Sequence, residues 1–371
     1  MRKFALIAVI LTALPPATYG EAIHSDKHEF VVETLASELN HPWSLVFLPS
    51  GEMLVSERNG QLVKIDRNGT SIPINGLPEN LVARGQGGLL GLALASDFEK
   101  TGTVFIAYSE GGEHRKSGTA VAKGTLSGTE LTQIQTLFSQ QPKLGGSRHY
   151  GGRLVATDNS LFVALGDRGN QDKAQQNNSH TGTLVRLTYD GAPYPENPYT
   201  HHAEVLPEIY SYGHRNIQGM TLSNDGKTLW THEHGPQGGD ELNAITAGAN
   251  YGWPTITYGV NYGTGTSIGI GTETEGMKQP IHYWVPSIAP SGMAMIQGSQ
   301  FKHWAGDILL GSLKFGLLVR LEMEKGVVVR EERMLDGKYG RIRDVIEGPD
   351  GYIYLLTDSS NGKILRLAPA P

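Results

Sequence analysis

The sequence contains no cysteine. That absence excludes disulfides, CxxCH haem attachment, cysteine-ligated iron–sulfur clusters and thiolate zinc sites. A chain of 371 residues without covalent staples must hold together by strand pairing and packing, and it is long enough to do so. It also lacks a basic block. With 31 Lys and Arg against 37 Asp and Glu, the formal net charge is −6, which argues against a nucleic-acid partner. Beyond the first residues no apolar run approaches the length needed to cross a bilayer, so no membrane span is expected. Heptads are missing, and so is any helical periodicity longer than a turn or two.

The one long apolar stretch is N-terminal. Residues 1–20 read MRKFALIAVILTALPPATYG. Arg2 and Lys3 make a basic start, Phe4 to Leu14 an apolar centre, and Thr18 and Gly20 a small-residue context for cleavage. This pattern predicts a secretory signal, too short for a spanning helix. Its short, bacterial style places the protein in the periplasm or outside the cell.

What the chain does have is a recurring strand–turn–strand phrase. The copies are HPWSLVFLPSGEMLVSERNGQLVKID, GGLLGLALASDFEKTGTVFIAYSE, GGRLVATDNSLFVALGDRGN, IQGMTLSNDGKTLWTHEHG, SGMAMIQGSQFKHWAGDILLGSLKFGLLVRL and RIRDVIEGPDGYIYLLTDSSNGKILRL. They start roughly 45–75 residues apart, the spacing of four-stranded blades with variable loops. An all-β, six-bladed β-propeller is expected, forming one domain over residues 21–371. A lead-in strand from Glu29 to Leu35 would either complete the last blade or form a simple arm. Loops at 109–120, 139–150, 190–206 and 258–280 interrupt the rhythm. Long loops on a rigid scaffold commonly carry function.

Several polar groups could carry chemistry. Lys314 in GSLKFG, Arg341 and Arg343 in GRIRDV, and Arg215 beside Asn216 in GHRNIQG are four cations expected on separate innermost strands. The i, i+2 spacing of Arg341 and Arg343 predicts a shared strand face. Together they would suit a ligand with several carboxylates or phosphates, although each Arg alone is as well explained by a salt bridge, for instance to Asp344. His149 in SRHYGGRL lies in a Gly-flanked loop and is a candidate general base. His232 and His234 could mimic a metal pair, but packing is the stronger reading; His201 and His202 fall in an exposed excursion. The segment THEHGPQGGDELNAITAGANYGWP combines turn carbonyls at Gly235 and Pro236 with Asp240 and Glu241, compatible with a hard cation but not demanding one.

The ordered phrases GQGGLLGLAL, RHYGGRL, GHRNIQG, EHGPQGGDELN, NYGWP, GSLKFG and GRIRDV are similar to those of the soluble quinoprotein sugar dehydrogenases. They most resemble the periplasmic aldose sugar dehydrogenases that use pyrroloquinoline quinone (PQQ). The resemblance spans nearly the whole chain after residue 30. It implies PQQ over the axial channel and Ca²⁺ beside it. It further implies His149 as base and Arg215 as a stabiliser of developing charge. PQQ contacts would come from Gln86, Arg215, Asn216, Tyr262, Lys314, Arg341 and Arg343. Carbonyls of Gly235 and Pro236 would hold the catalytic calcium, and Glu241 and Tyr251 a second, structural one. Arg148 and Arg168 depart from the glucose-specialised branch at positions that face the sugar there, which implies a broad aldose range.

Two other functions fit a propeller of this kind: a calcium-dependent hydrolase or lactonase, and a non-catalytic binding module. The cationic set argues against the first, and the presence of both base and cations against the second. Without a haem motif, electrons would leave to an external acceptor, a cytochrome or a quinone. Either a monomer or a homodimer is compatible with the sequence.

Overall fold

A computed structural model describes residues 21–370; the signal reading of residues 1–20 lies outside them. Among the described residues, no helix is long and apolar enough to cross a membrane.

The strands fall into six antiparallel sheets, one per blade. The innermost strands are Pro42–Phe47, Leu89–Leu94, Gly151–Ala156, Ile217–Leu222, Pro290–Met295 and Ile342–Glu347. Each packs against the next, and the sixth packs against the first, so the ring closes. Closure comes from the lead-in. Glu29–Leu39 pairs along Gly362–Pro369 as an outer strand of blade six, and Ile23–His24 adds a fifth strand. The lead-in strand therefore completes the last blade, and it is longer than the sequence implied. The arm is further fastened to blade five. Buried Arg320 bonds Asp307 at 2.7 Å and Glu332 at 2.8 Å, and Glu332 accepts the Asp26 amide.

Packing follows the alternation of the strands. Six apolar clusters of buried residues fill the six spaces between neighbouring blades, for example Leu54, Leu62, Leu89 and Ile106 between blades one and two. Each fully buried aliphatic side chain of this kind contributes about 1.5–3 kcal/mol of transfer free energy. A small seventh cluster, Ala174, Trp253 and Ile268, lies under loops rather than between sheets. It anchors the 258–280 excursion, whose Val260 bridges to Gln237 and to Ser267.

One feature of the ladder recurs six times. Every innermost strand shifts register near its start: at Pro42/Ser44, Leu89/Leu92, Gly151/Leu154, Ile217/Gly219, Pro290/Met293 and Ile342/Asp344. A bulge adds a residue to one strand and re-aims its side chain. The extra residues include Trp43, Gln218 and Arg343, and all three line the main cavity.

Candidate active site

In an antiparallel four-stranded blade, the start of the first strand and the turn between the second and third strands lie at the same end. The candidate residues come from these two places. Gln86, His149, Arg215, Asn216 and Arg341 directly precede innermost strands. Arg58, Asp167, Gly235, Pro236, Lys314 and Asp358 sit in second-to-third turns. Between the third and fourth strands of blade four, the chain detours to the same end and supplies Trp253, Tyr262 and Ile268. Only Arg343 of the four predicted cations lies on an innermost strand, so the expectation that all four do is corrected.

Two contiguous lobes open there. The deep lobe, about 820 Å³, includes Trp43, Arg58, Gln86, Asn216, Gln218, Tyr262, Lys314, Arg341 and Arg343 in its wall. The adjacent base lobe, about 530 Å³, is lined by Arg148, His149, Asp167, Gln171, Arg215 and Trp253 among others. Gln86, His234, Pro236 and Tyr262 border both.

The base lobe is organised around His149. Its Nδ1 lies 2.6 Å from Asp167 Oδ1. Asp167 also accepts the Gly169 amide at 2.6 Å and Trp253 Nε1 at 2.9 Å. Burial opposes ionisation of Asp167, but the His149 bond and charge, the Gly169 amide and Arg215 hold its carboxyl below the usual range. An ionised Asp167 fixes the proton on Nδ1 and leaves the lone pair on Nε2. Burial pushes the His149 imidazole below its ordinary pKa. The Asp167 bond opposes this, while Arg215 and Arg148 add to it. His149 is thus held as a neutral imidazole in a fixed tautomer. Its backbone is left-handed, φ 54°, a conformation that costs a non-glycine residue about 1–3 kcal/mol unless its surroundings impose it. Gln86 Oε1 accepts its amide at 2.7 Å, and Asn216 Oδ1 accepts the Gly151 amide at 3.2 Å.

The deep lobe is cationic. Arg341 and Arg343 do converge, yet through a bulge at Arg343 rather than plain alternation. Both donate to Asp358 Oδ2, at 3.0 and 2.9 Å, and His41 Nδ1 lies 2.7 Å from Oδ1. Burial resists the charge on Asp358, but Arg343, His41 and Arg58 hold its carboxyl far below the ordinary value. Asp344, the sequence neighbour, pairs instead with Arg153 at 2.9 Å. Lys314 Nζ lies 4.9 Å from the ring centroid of its neighbour Phe315. Arg215 donates to the His234 carbonyl at 3.1 Å and lies 5.3 Å from the Trp253 ring, while its buried Nε has no partner. One carboxylate against Arg58, Lys314, Arg341 and Arg343 leaves net positive charge in the deep lobe. A planar ligand with several carboxylates fits this set.

Among the described residues no group of three His, Asp or Glu side chains converges, so a cation here must draw on backbone carbonyls. Asp240 is largely engaged: the amides of Ile288 and Ala289 and the Ser287 hydroxyl take its Oδ2, and the Gly235 amide bonds Oδ1. Glu241 differs. Its carboxylate has only a weak 3.4 Å contact from Asn243, and burial, with Glu233 nearby, pushes its carboxyl well above the ordinary value. Glu241, Glu233, Gly235 and Tyr251 line one small cleft. An under-satisfied carboxylate among carbonyls suits Ca²⁺. The Pro236 carbonyl accepts the Tyr262 hydroxyl at 2.9 Å, which leaves one lone pair free. His232 and His234 form no metal pair. His232 is packed on Gly219, and His234, pushed by burial to about 3, donates Nε2–H to the Pro290 carbonyl at 2.7 Å.

Arg168 departs from expectation. It does not line the cavity. Its guanidinium is buried 3.5 Å from the Tyr150 ring centroid and donates to the Arg148 carbonyl, Ser117 Oγ and the Gly146 carbonyl. Arg148 does line the base lobe.

The profile of the family described as Glucose / Sorbosone dehydrogenase matches residues 39–366. The chain belongs to the glucose/sorbosone dehydrogenase family. A family member from Escherichia coli (strain K12), aldose sugar dehydrogenase YliI, is 42% identical over 345 residues, covering 91% of this chain and 92% of that one. The apo crystal structure of the soluble aldose sugar dehydrogenase from Escherichia coli superposes with TM-score 0.88 over 91% of this chain and 99% of its own. A PQQ-bound aldose sugar dehydrogenase from Streptomyces coelicolor is 29% identical, with TM-score 0.74 over 91% and 98% of the two chains. The six-bladed propeller and a sugar-oxidising role are thereby shared with the family.

Proposed function

We propose that this protein oxidises aldoses at C1 to lactones, with PQQ in the deep lobe and His149 as the base. The observation that carries the reading is continuity: a neutral, Asp167-oriented imidazole opens onto a lobe that joins a cradle of Lys314, Arg341 and Arg343. The PQQ named for the Streptomyces coelicolor relative supports the same assignment.

When bound, PQQ supplies an electrophilic quinone that accepts two electrons, and Ca²⁺ supplies a Lewis acid that polarises it. Lys314, Arg341 and Arg343 hold the carboxylates, with Asn216, Gln86 and Tyr262 at the edge. Gly235 and Pro236 offer carbonyls to the catalytic calcium, and Glu241 and Tyr251 to a second one. His149 Nε2 takes the proton from the anomeric hydroxyl while C1 gives up hydride, so the sugar leaves as its lactone. Arg215, fixed by the His234 carbonyl and Trp253, lines the base lobe, where its charge would stabilise developing oxygen charge. Electrons then pass to an external acceptor, a cytochrome or quinone, outside the cytoplasm.

The test is dye reduction by purified apo-protein with aldoses, with and without PQQ and Ca²⁺. Activity that requires both upholds the reading. Absence of PQQ binding would return the protein to the hydrolase or binding-module class.

A further inference from the structure

Among the described residues, the Arg148 guanidinium forms no ion pair and donates no side-chain hydrogen bond, although it lines the base lobe beside His149 and Gln171. It is nevertheless seated. Arg168 donates to its backbone carbonyl. A Cβ built on Gly169 would lie 2.6 Å from Arg148 Nε, so the guanidinium packs against the Gly169 backbone. Asp167 is the one carboxylate lining this lobe, and it is consumed by His149, Gly169 and Trp253. The protein as a whole is acidic, so a positive lobe is a local feature and not a general surface property. If the deep-lobe cations are taken by the cofactor, exposed Arg148 remains as an unpaired charge at the lobe, open to an anionic ligand.

We propose that Arg148 selects anionic aldoses, sugars whose C1 reaches His149 and whose far end carries a carboxylate or phosphate. A guanidinium binds either group through paired N–H donors, and such charge-assisted bonds are about twice as strong as neutral ones. Neutral aldoses make no such contact. This inference rests on the function proposed above, since it needs the deep lobe filled.

The test uses protein reconstituted with PQQ and Ca²⁺. Values of kcat/KM are measured for D-glucose, D-glucuronate and D-glucose 6-phosphate at low and high ionic strength. At low salt one anionic sugar is expected to exceed glucose by about tenfold or more, with the advantage shrinking as salt rises; which one leads identifies the anion. Arg148→Gln is expected to collapse the anionic-to-neutral ratio, and Arg148→Glu to shift preference toward D-glucosamine. Glucose matching or beating both anions, or Arg148→Gln lowering every substrate by one common factor, would overturn the proposal while leaving sugar oxidation standing. No PQQ binding and no turnover with any aldose would instead remove the underlying function.

Discussion

Asp167 Oδ1 lies 2.6 Å from His149 Nδ1, a bond that decides which nitrogen of the imidazole can act as a base. Asp167→Asn removes the charge and lets an amide N–H meet Nδ1, favouring the wrong tautomer. The expected result is a fall in kcat of about 10²–10⁴-fold, the range of general-base and tautomer losses, with PQQ affinity kept. Loss of PQQ binding in step with kcat would show that the pair is structural.

The same pair sets a pH profile. His149 is held below its ordinary pKa, chiefly by burial, and it must be neutral to accept a proton. The acid limb of kcat/KM should therefore fall below about pH 6.5, the unperturbed histidine value. An acid limb centred above that value would contradict the assignment of His149 as the base.

Among the described residues, Asp358 is the only carboxylate paired with Arg341 and Arg343 of the deep lobe. Asp358→Asn leaves buried Arg343 uncompensated, and removing one partner of a buried pair costs about 3–5 kcal/mol. Because the folded carboxyl is depressed, its contribution is present above the unfolded value near about pH 4 and is lost as pH falls through the folded one. Urea unfolding of the apo-protein should show a constant difference between variant and wild type at neutral pH, narrowing only in strong acid. A difference that narrows already between pH 5 and 7 would place the effect elsewhere.

Much of this was legible in the sequence because it depends on local pattern. Alternating apolar residues and Gly or Asp turns marked all six blades, and the Gly-flanked phrases marked His149, Arg215, Lys314, Arg341 and Arg343. Asp167 and Asp358 escaped, since a short acid in a turn reads the same whether it faces water or a buried histidine. Asp358 meets His41 across 317 residues of chain, a contact that exists only once the ring closes. A usable signal was position: both acids follow the second strand of their blades, like Lys314 and Pro236. The fate of Arg168 was also hidden, because GDRG does not reveal that Asp167 faces the lobe and Arg168 the core.

Glu241 gives a metal test that needs no turnover. Its carboxyl is raised by burial and by Glu233, so in metal-free protein the folded state holds a proton more tightly than the unfolded one. Stability from this group is therefore lost as pH rises through the folded value. Glu241→Gln should stabilise metal-free protein above that pH by about 1–3 kcal/mol, yet show none of the rise in Tm on adding Ca²⁺ that is expected of wild type. A variant that keeps the full Ca²⁺-induced rise would exclude Glu241 as a ligand.

Arg168 holds the base loop from behind. Three acceptors on residues 117, 146 and 148 share its fork, and it stacks on Tyr150, the residue after the base. Lysine keeps the charge but cannot reach three acceptors in a plane. The loop carrying strained His149 would then relax, and misplacement of a catalytic group by about 1 Å costs on the order of 10²-fold in rate. Arg168→Lys should accordingly lower kcat by about 10- to 100-fold with a smaller change in PQQ affinity, because Tyr150 alone among its partners lines the deep lobe. A kcat near that of wild type would mean that Gln86 and Asn216 alone suffice to hold His149 in place.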